Sequence, residues 1–94
     1  MILNERDRMI LGTRYFKSLC EKTKENRGRR SQFSKVEVYG NQLLDGYNRD
    51  VVLPLIIHKL NQRGYIYEHE NGQISLTPIG MQHCGEDVVL DESI

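Results

Sequence analysis

The segment from Asn48 to Thr77 constrains the fold of this chain most, because a helical pattern is followed directly by a hairpin pattern. Over residues 49–63 the aliphatic side chains recur at the period of an amphipathic helix. Gly64 then stands where a helix C-cap is expected, and residues 65–77 alternate between apolar and polar side chains around a turn. We therefore predict a helix that packs one side against a β-hairpin. That side consists of Val52, Leu53, Ile56, Ile57 and Leu60.

Pro54 interrupts this helical pattern. It has no N–H to donate to the Asp50 carbonyl, and its ring presses on that carbonyl, which costs about 3 kcal/mol in a regular helix. We expect either a bend near the start of the helix or a regular helix that begins around Leu53. Asn48 is the predicted N-cap.

Side-chain parity predicts the register of the hairpin. A two-residue loop would put Ile66 and Leu76 on opposite faces. A type I turn closed by Gly72 as a G1 bulge instead pairs Ile66 with Leu76. The same register pairs Glu68 with Ile74 and gathers the aliphatic residues on one face, so we predict it. The residues expected to face outward are Tyr65, Tyr67 and His69.

The N-terminal region predicts a long first helix over residues 5–26. Gly12 lies inside its apolar stripe at a cost of about 1 kcal/mol relative to alanine. That cost suggests close approach by another helix, either of the same chain or of a second copy, and we expect a homodimer through this helix. The stripe consists of Met9, Leu11, Tyr15, Phe16, Leu19 and Cys20.

The remaining elements are predicted to be short. Val36 and Val38 alternate with charged residues, which favours a strand, and Thr77 with Pro78 is typical of a helix start. In chain order we predict a basic loop over 27–35, a strand over 36–39, a helix over 41–46, a helix over 78–85 and a frayed acidic tail over 86–94.

The central pattern resembles that of the winged helix-turn-helix family of bacterial and archaeal DNA-binding proteins. The order of elements over residues 5–85 is also similar to that family. The resemblance implies one α+β winged-helix domain over 1–94, in which a three-helix core carries a short first strand, a hairpin wing and a short C-terminal helix. The matching residues are structural and say nothing direct about function. They are Leu60, Gly64-Tyr65-Ile66, Asn71-Gly72, Ile74, Leu76-Thr77 and Gly80, in a pattern L-x-x-x-G-Y-I … G-x-I-x-L-T-x-x-G.

The resemblance also implies a transcriptional regulator that binds double-stranded DNA with its 49–63 helix in the major groove. By position, the base-facing candidates are Arg49, His58, Asn61 and Gln62. The candidates for phosphate contacts are Arg27, Arg29, Arg30, Lys35, Lys59 and Arg63. The wing tip, Glu70-Asn71-Gly72, departs from the basic wing that is usual in this family, and its acids would repel phosphates.

The charge distribution is polarised although the net charge is zero. Residues 8–35 hold nine lysines and arginines against two glutamates, whereas residues 36–94 hold three against nine acids. Such a chain can present a basic patch to nucleic acid while staying neutral overall. The alternative is a solvated, charge-rich helix and loop.

Two other binding functions fit the same pattern. Zero net charge, the acidic wing and an apolar outer group at Val51, Pro54 and Leu55 favour a protein partner. The basic loop also allows RNA binding.

The sequence offers no argument for catalysis, a cofactor or a metal. His58, His69 and His83 show no HxH or HExxH spacing, and we expect no enzyme activity. Cys20 and Cys84 fit no metal spacing and are predicted to be free core residues of a cytoplasmic protein. No apolar run approaches the about 20 residues that span a bilayer, and we expect no membrane contact.

Overall fold

Six elements follow one another in the part of the chain that the computed structural model describes, which is residues 5–26, 31–39 and 46–88. For residues 5–10, 39 and 46–51 only the backbone is described. These ranges form a small α+β domain with four helices and a two-stranded antiparallel hairpin. The elements are α1 (Glu5–Glu25), α2 (Lys35–Tyr39), α3 (Gly46–Gln62), β1 (Ile66–Glu68), β2 (Ile74–Leu76) and α4 (Pro78–Gln82).

Helix α1 confirms the prediction over residues 5–26, and its apolar stripe forms one wall of the core. Tyr15, Phe16 and Leu19 are fully buried, and Leu11 packs against the core from its edge. Gly12 is buried within the single chain, so its burial does not require a second copy. The homodimer through α1 stays a prediction.

Helix α2 replaces the strand predicted over 36–39, and that prediction is wrong. Ser34 accepts a hydrogen bond on Oγ from the Glu37 N–H at 3.1 Å, as in a Ser-x-x-Glu capping box. Val38 turns into the core, whereas Val36 stays 48% exposed. The alternation of the two valines therefore reflects two sides of a short helix.

The extended segment lies at Phe33, inside the predicted loop 27–35, so the loop prediction is wrong at its end. Phe33 is 1% exposed and forms an antiparallel bridge with Ile74. Its N–H donates to the Ile74 carbonyl at 2.9 Å and its carbonyl accepts from the Ile74 N–H at 2.8 Å. The loop at 27–30 and residues 41–45 of the helix predicted over 41–46 lie outside the described residues. The predicted end of that helix at Gly46 is wrong, because Gly46 is the first residue of α3.

Helix α3 confirms the long helix, although it begins earlier than predicted. The chain is already helical at Gly46, so Asn48 is not the N-cap. The helix also continues through Pro54, which excludes a start at Leu53. Gly64 ends it with φ +75°, as a left-handed C-cap does. All the aliphatic residues predicted to face the core are at most 9% exposed: Val52, Leu53, Ile56, Ile57 and Leu60.

The hairpin has the register predicted from parity. Ile66 pairs with Leu76 and Glu68 with Ile74. Gly72 has φ +84° and donates to the His69 carbonyl at 2.9 Å, which closes the predicted type I turn and bulge. Ile66 and Ile74 are 3% and 0% exposed. They seal the hairpin onto the helices.

Tyr65 does not face outward as predicted. It is 7% exposed because its ring lies between Phe16, at 5.2 Å between centroids, and His83, at 4.9 Å. The prediction holds for Tyr67, which is 58% exposed, and His69 is half-buried. The segment after β2 therefore covers the first residue of the hairpin.

That C-terminal segment is tied to α1. Helix α4 starts as predicted, with Thr77 as N-cap and Pro78 in the first turn, but it ends at Gln82 instead of 85. Cys84 forms a disulfide with Cys20, so the prediction of free cysteines is wrong. Val88 is fully buried and donates its N–H to Thr13 Oγ1 at 2.9 Å. The prediction of a frayed tail is therefore wrong for 86–88, and 89–94 lie outside the described residues.

Candidate functional site

The outer face of α3 is the candidate site. The aliphatic side of α3 lies in the core. On the opposite side, residues three or four positions apart share one exposed face. Pro54, His58, Asn61 and Gln62 are all exposed there. The helix thus presents polar side chains on its last two turns, immediately before the hairpin.

This face brings together three of the four base-facing candidates, namely His58, Asn61 and Gln62. The fourth, Arg49, has only its backbone described, so its side-chain placement stays a prediction. The loop arginines predicted to contact phosphate, Arg27, Arg29 and Arg30, lie outside the described residues.

The three other phosphate candidates lie on or beside α3. Lys59 is half-buried on α3. Arg63 follows the helix, with its guanidinium carbon 5.8 Å from the centre of the Tyr65 ring. Lys35 opens α2. All three flank the end of the helix that faces the hairpin.

A groove of about 480 Å³ runs beside α3 and brings α2, α3 and β1 together. Leu53 and Ile57 form its apolar floor, since both are almost fully buried. Val36 and Pro54 are exposed at its margin. The polar residues that line it are Lys35, His58, Asn61 and Glu68.

Glu68 is a site residue that the sequence analysis did not single out. Its Oε2 forms an ion pair with Lys35 Nζ, and its Oε1 accepts a hydrogen bond from Asn61 Nδ2 at 3.1 Å. One carboxylate therefore holds both a phosphate candidate and a base-facing candidate. The signal was present in the predicted register, which places Glu68 opposite Ile74 and hence on the side of the hairpin that faces the helices.

The elements that carry this cluster are fixed by the core. Tyr15 donates its hydroxyl to the Lys35 carbonyl at 2.8 Å, and Ser18 donates to the Val38 carbonyl, so α2 is held to α1 at both ends. Ile74, the partner of Glu68 across the hairpin, is itself bridged to Phe33. These core contacts therefore fix the backbone positions of Lys35, Asn61 and Glu68.

The apolar outer group predicted at Val51, Pro54 and Leu55 is only partly present. Pro54 is exposed, but Leu55 is half-buried and packs against the core, so the prediction of an exposed Leu55 is wrong. The side chain of Val51 is not described. The exposed apolar neighbour of Pro54 is instead Val36 across the groove.

Over the described ranges, no three histidine, cysteine or acidic side chains gather into a group that could hold a metal ion. Within those same ranges, no helix has the length and apolar character needed to cross a membrane. Comparison with protein-family models, with curated proteins and with solved structures finds no match to this chain.

Proposed function

We propose that this chain is a winged-helix protein that binds double-stranded DNA through the outer face of α3, as a transcriptional regulator. The observation that carries the proposal is the division of α3 into a buried aliphatic side and an exposed side with His58, Asn61 and Gln62. Exposed amide and imidazole groups on successive turns match the hydrogen-bonding edges of bases in a major groove.

The order of elements supports the winged-helix part of the proposal. A long helix, an extended residue at Phe33, two further helices and a hairpin follow one another. In this arrangement the hairpin stands directly after the exposed helix and flanks it, as a wing flanks a recognition helix. Lys59 and Arg63 lie near the hairpin end of α3, and we expect them to contact phosphates.

Fluorescence anisotropy with a labelled, mixed-sequence duplex tests the proposal. We expect binding that weakens steeply between about 50 mM and about 200 mM salt, because phosphate contacts release counterions. The comparison is a duplex sequence selected for tight binding to the parent chain. Replacing His58, Asn61 and Gln62 by alanine should abolish the preference for that sequence over the mixed-sequence duplex. A matched control is Gln82→Ala, since Gln82 is also exposed but lies on α4. Gln62→Ala should weaken selected-sequence binding and Gln82→Ala should not.

A protein-docking function is the second candidate, and the groove between Val36 and Pro54 favours it. Exposed aliphatic side chains beside an apolar floor are typical of a surface that another protein covers. This function predicts no anisotropy change with duplex, single-stranded DNA or RNA at low salt. Val36→Asp should then abolish binding of a protein partner without changing the circular dichroism spectrum, because Val36 is 48% exposed.

A further inference from the structure

We infer that Glu68 limits the affinity of the proposed DNA surface, because its carboxylate competes with the nucleic acid for Lys35 and Asn61. The inference rests on the proposed function. In the free chain Glu68 holds both side chains, so DNA has to share them with the carboxylate or draw them away from it.

The geometry makes Glu68 a competitor of DNA. Its two oxygens are used separately, Oε2 by the Lys35 ammonium and Oε1 by the Asn61 amide. The Lys35 ammonium that pairs with the Glu68 carboxylate is the group that would pair with a phosphate oxygen of DNA. Asn61 Nδ2 carries two N–H groups, and the one that donates to Glu68 sets the orientation of the amide by which asparagine reads adenine.

The pair is accessible enough to exchange partners. The side chains of Lys35 and Glu68 are 30% and 38% exposed, and ion pairs at such positions are weak because water competes for both charges. Lys35 can therefore transfer from the carboxylate to a phosphate without opening the core. Its backbone stays anchored by the Tyr15 hydroxyl.

The negative charge of Glu68 acts on every complex that uses Lys35. A phosphate that approaches Lys35 also approaches Glu68, and like charges repel. Non-specific complexes depend almost entirely on phosphate contacts, so they bear this repulsion in full. A complex on a cognate sequence bears the same repulsion at Lys35. Glu68 therefore lowers the affinity of this surface for DNA of any sequence.

Glu68→Gln tests this inference, because glutamine keeps the shape and the acceptor for Asn61 but removes the charge. We expect affinity for mixed-sequence duplex to rise about two- to fivefold, the range that a weak exposed ion pair represents. The slope of log K against log salt should steepen by about one, since Lys35 gains a phosphate contact. Affinity for a selected site should rise by a similar factor, because the same phosphate contact is gained.

Glu70→Gln is the matched control. It makes the same charge change on the same hairpin, at an exposed position of the turn. We expect a smaller gain of affinity than that of Glu68→Gln, because Glu70 contacts neither Lys35 nor Asn61 in the described structure. A second control is Lys35→Ala, in whose background Glu68→Gln should lose most of its effect on mixed-sequence affinity.

Four outcomes would overturn the inference. Equal gains of duplex affinity for Glu68→Gln and Glu70→Gln would mean that the effect comes from net charge alone. A loss of affinity in Glu68→Gln would mean that the carboxylate orients Lys35 and Asn61 for binding instead of competing for them. If the parent chain and all variants fail to bind any duplex, the proposed function fails as well, whereas a binding parent with an unresponsive Glu68→Gln refutes the inference alone. Circular dichroism melting of each variant confirms that it is folded.

Discussion

Gly80 lies directly against the backbone of Tyr65, so closely that a Cβ at Gly80 would be 2.2 Å from the Tyr65 carbonyl oxygen. The same carbonyl accepts a hydrogen bond from the Thr77 N–H at 3.0 Å. Thr77 also donates its hydroxyl to the Gly64 carbonyl at 2.6 Å. The start of α4 is thereby locked onto the chain that leaves α3, and only glycine leaves room for this approach.

We expect Gly80→Ala to lower the free energy of unfolding by about 1–3 kcal/mol, the usual cost of overpacking. The contact is with backbone, which cannot rotate away as a side chain can. Urea denaturation followed by circular dichroism measures the change. Met81→Ala, one residue away and 56% exposed, should change stability by at most about 0.5 kcal/mol. Equal stability of the two variants would show that α4 does not sit against Tyr65.

The Cys20–Cys84 disulfide closes a loop across 64 positions of sequence. Because a cross-link restricts the unfolded chain, we expect its reduction to lower the free energy of unfolding by about 2–5 kcal/mol. Thermal melting with and without a phosphine reductant measures the loss. A variant with both cysteines replaced by serine is the control, and the reductant should not affect it. Two reactive thiols in the native, unreduced protein would contradict the assignment.

Pro54 lies inside α3 on its exposed face. Alanine at this position would restore the hydrogen bond to the Asp50 carbonyl, so we expect Pro54→Ala to stabilise the chain by up to about 3 kcal/mol. Chemical denaturation provides the measurement. His58→Ala, one turn later on the same face, should remain within about 0.5 kcal/mol of the parent. Destabilisation by Pro54→Ala would instead mean that the ring supports the fold.

The parts of the fold that are predictable from the sequence are those governed by local pattern. The hairpin register follows from the parity of Ile66, Ile74 and Leu76, because only one turn type places them on one face. Of the two ends of α3, only the C-terminal one follows from the sequence. Gly64 marks the C-terminus of α3 because glycine readily adopts a positive φ. Asn48 is a residue type that often caps helices, but α3 begins before it.

The errors have physical causes as well. The alternation of Val36 and Val38 with charged residues is typical of a strand, but the Ser34–Glu37 cap starts a helix there instead. Burial of Tyr65 and pairing of Cys20 with Cys84 depend on how the C-terminal segment returns to α1. Such contacts join residues far apart in the chain, and no local pattern encodes them.

The exposed polar face of α3 was predictable from helical period, but its state in the free chain was not. The exposure of His58, Asn61 and Gln62 follows from their positions on a helical wheel. That Glu68 occupies Asn61 and Lys35 depends on the distance between hairpin and helices. The sequence therefore predicts the site residues better than it predicts which partners hold them.

The most direct test of the account is a two-dimensional ¹⁵N–¹H NMR titration of the chain with a short duplex at low salt. We expect amide shifts to concentrate on the outer face of α3, at His58, Asn61 and Gln62, with a further shift at Glu68 as its carboxylate loses its partners. Shifts confined to α1, or no shifts at any duplex concentration, would contradict the claim that this face of α3 binds DNA.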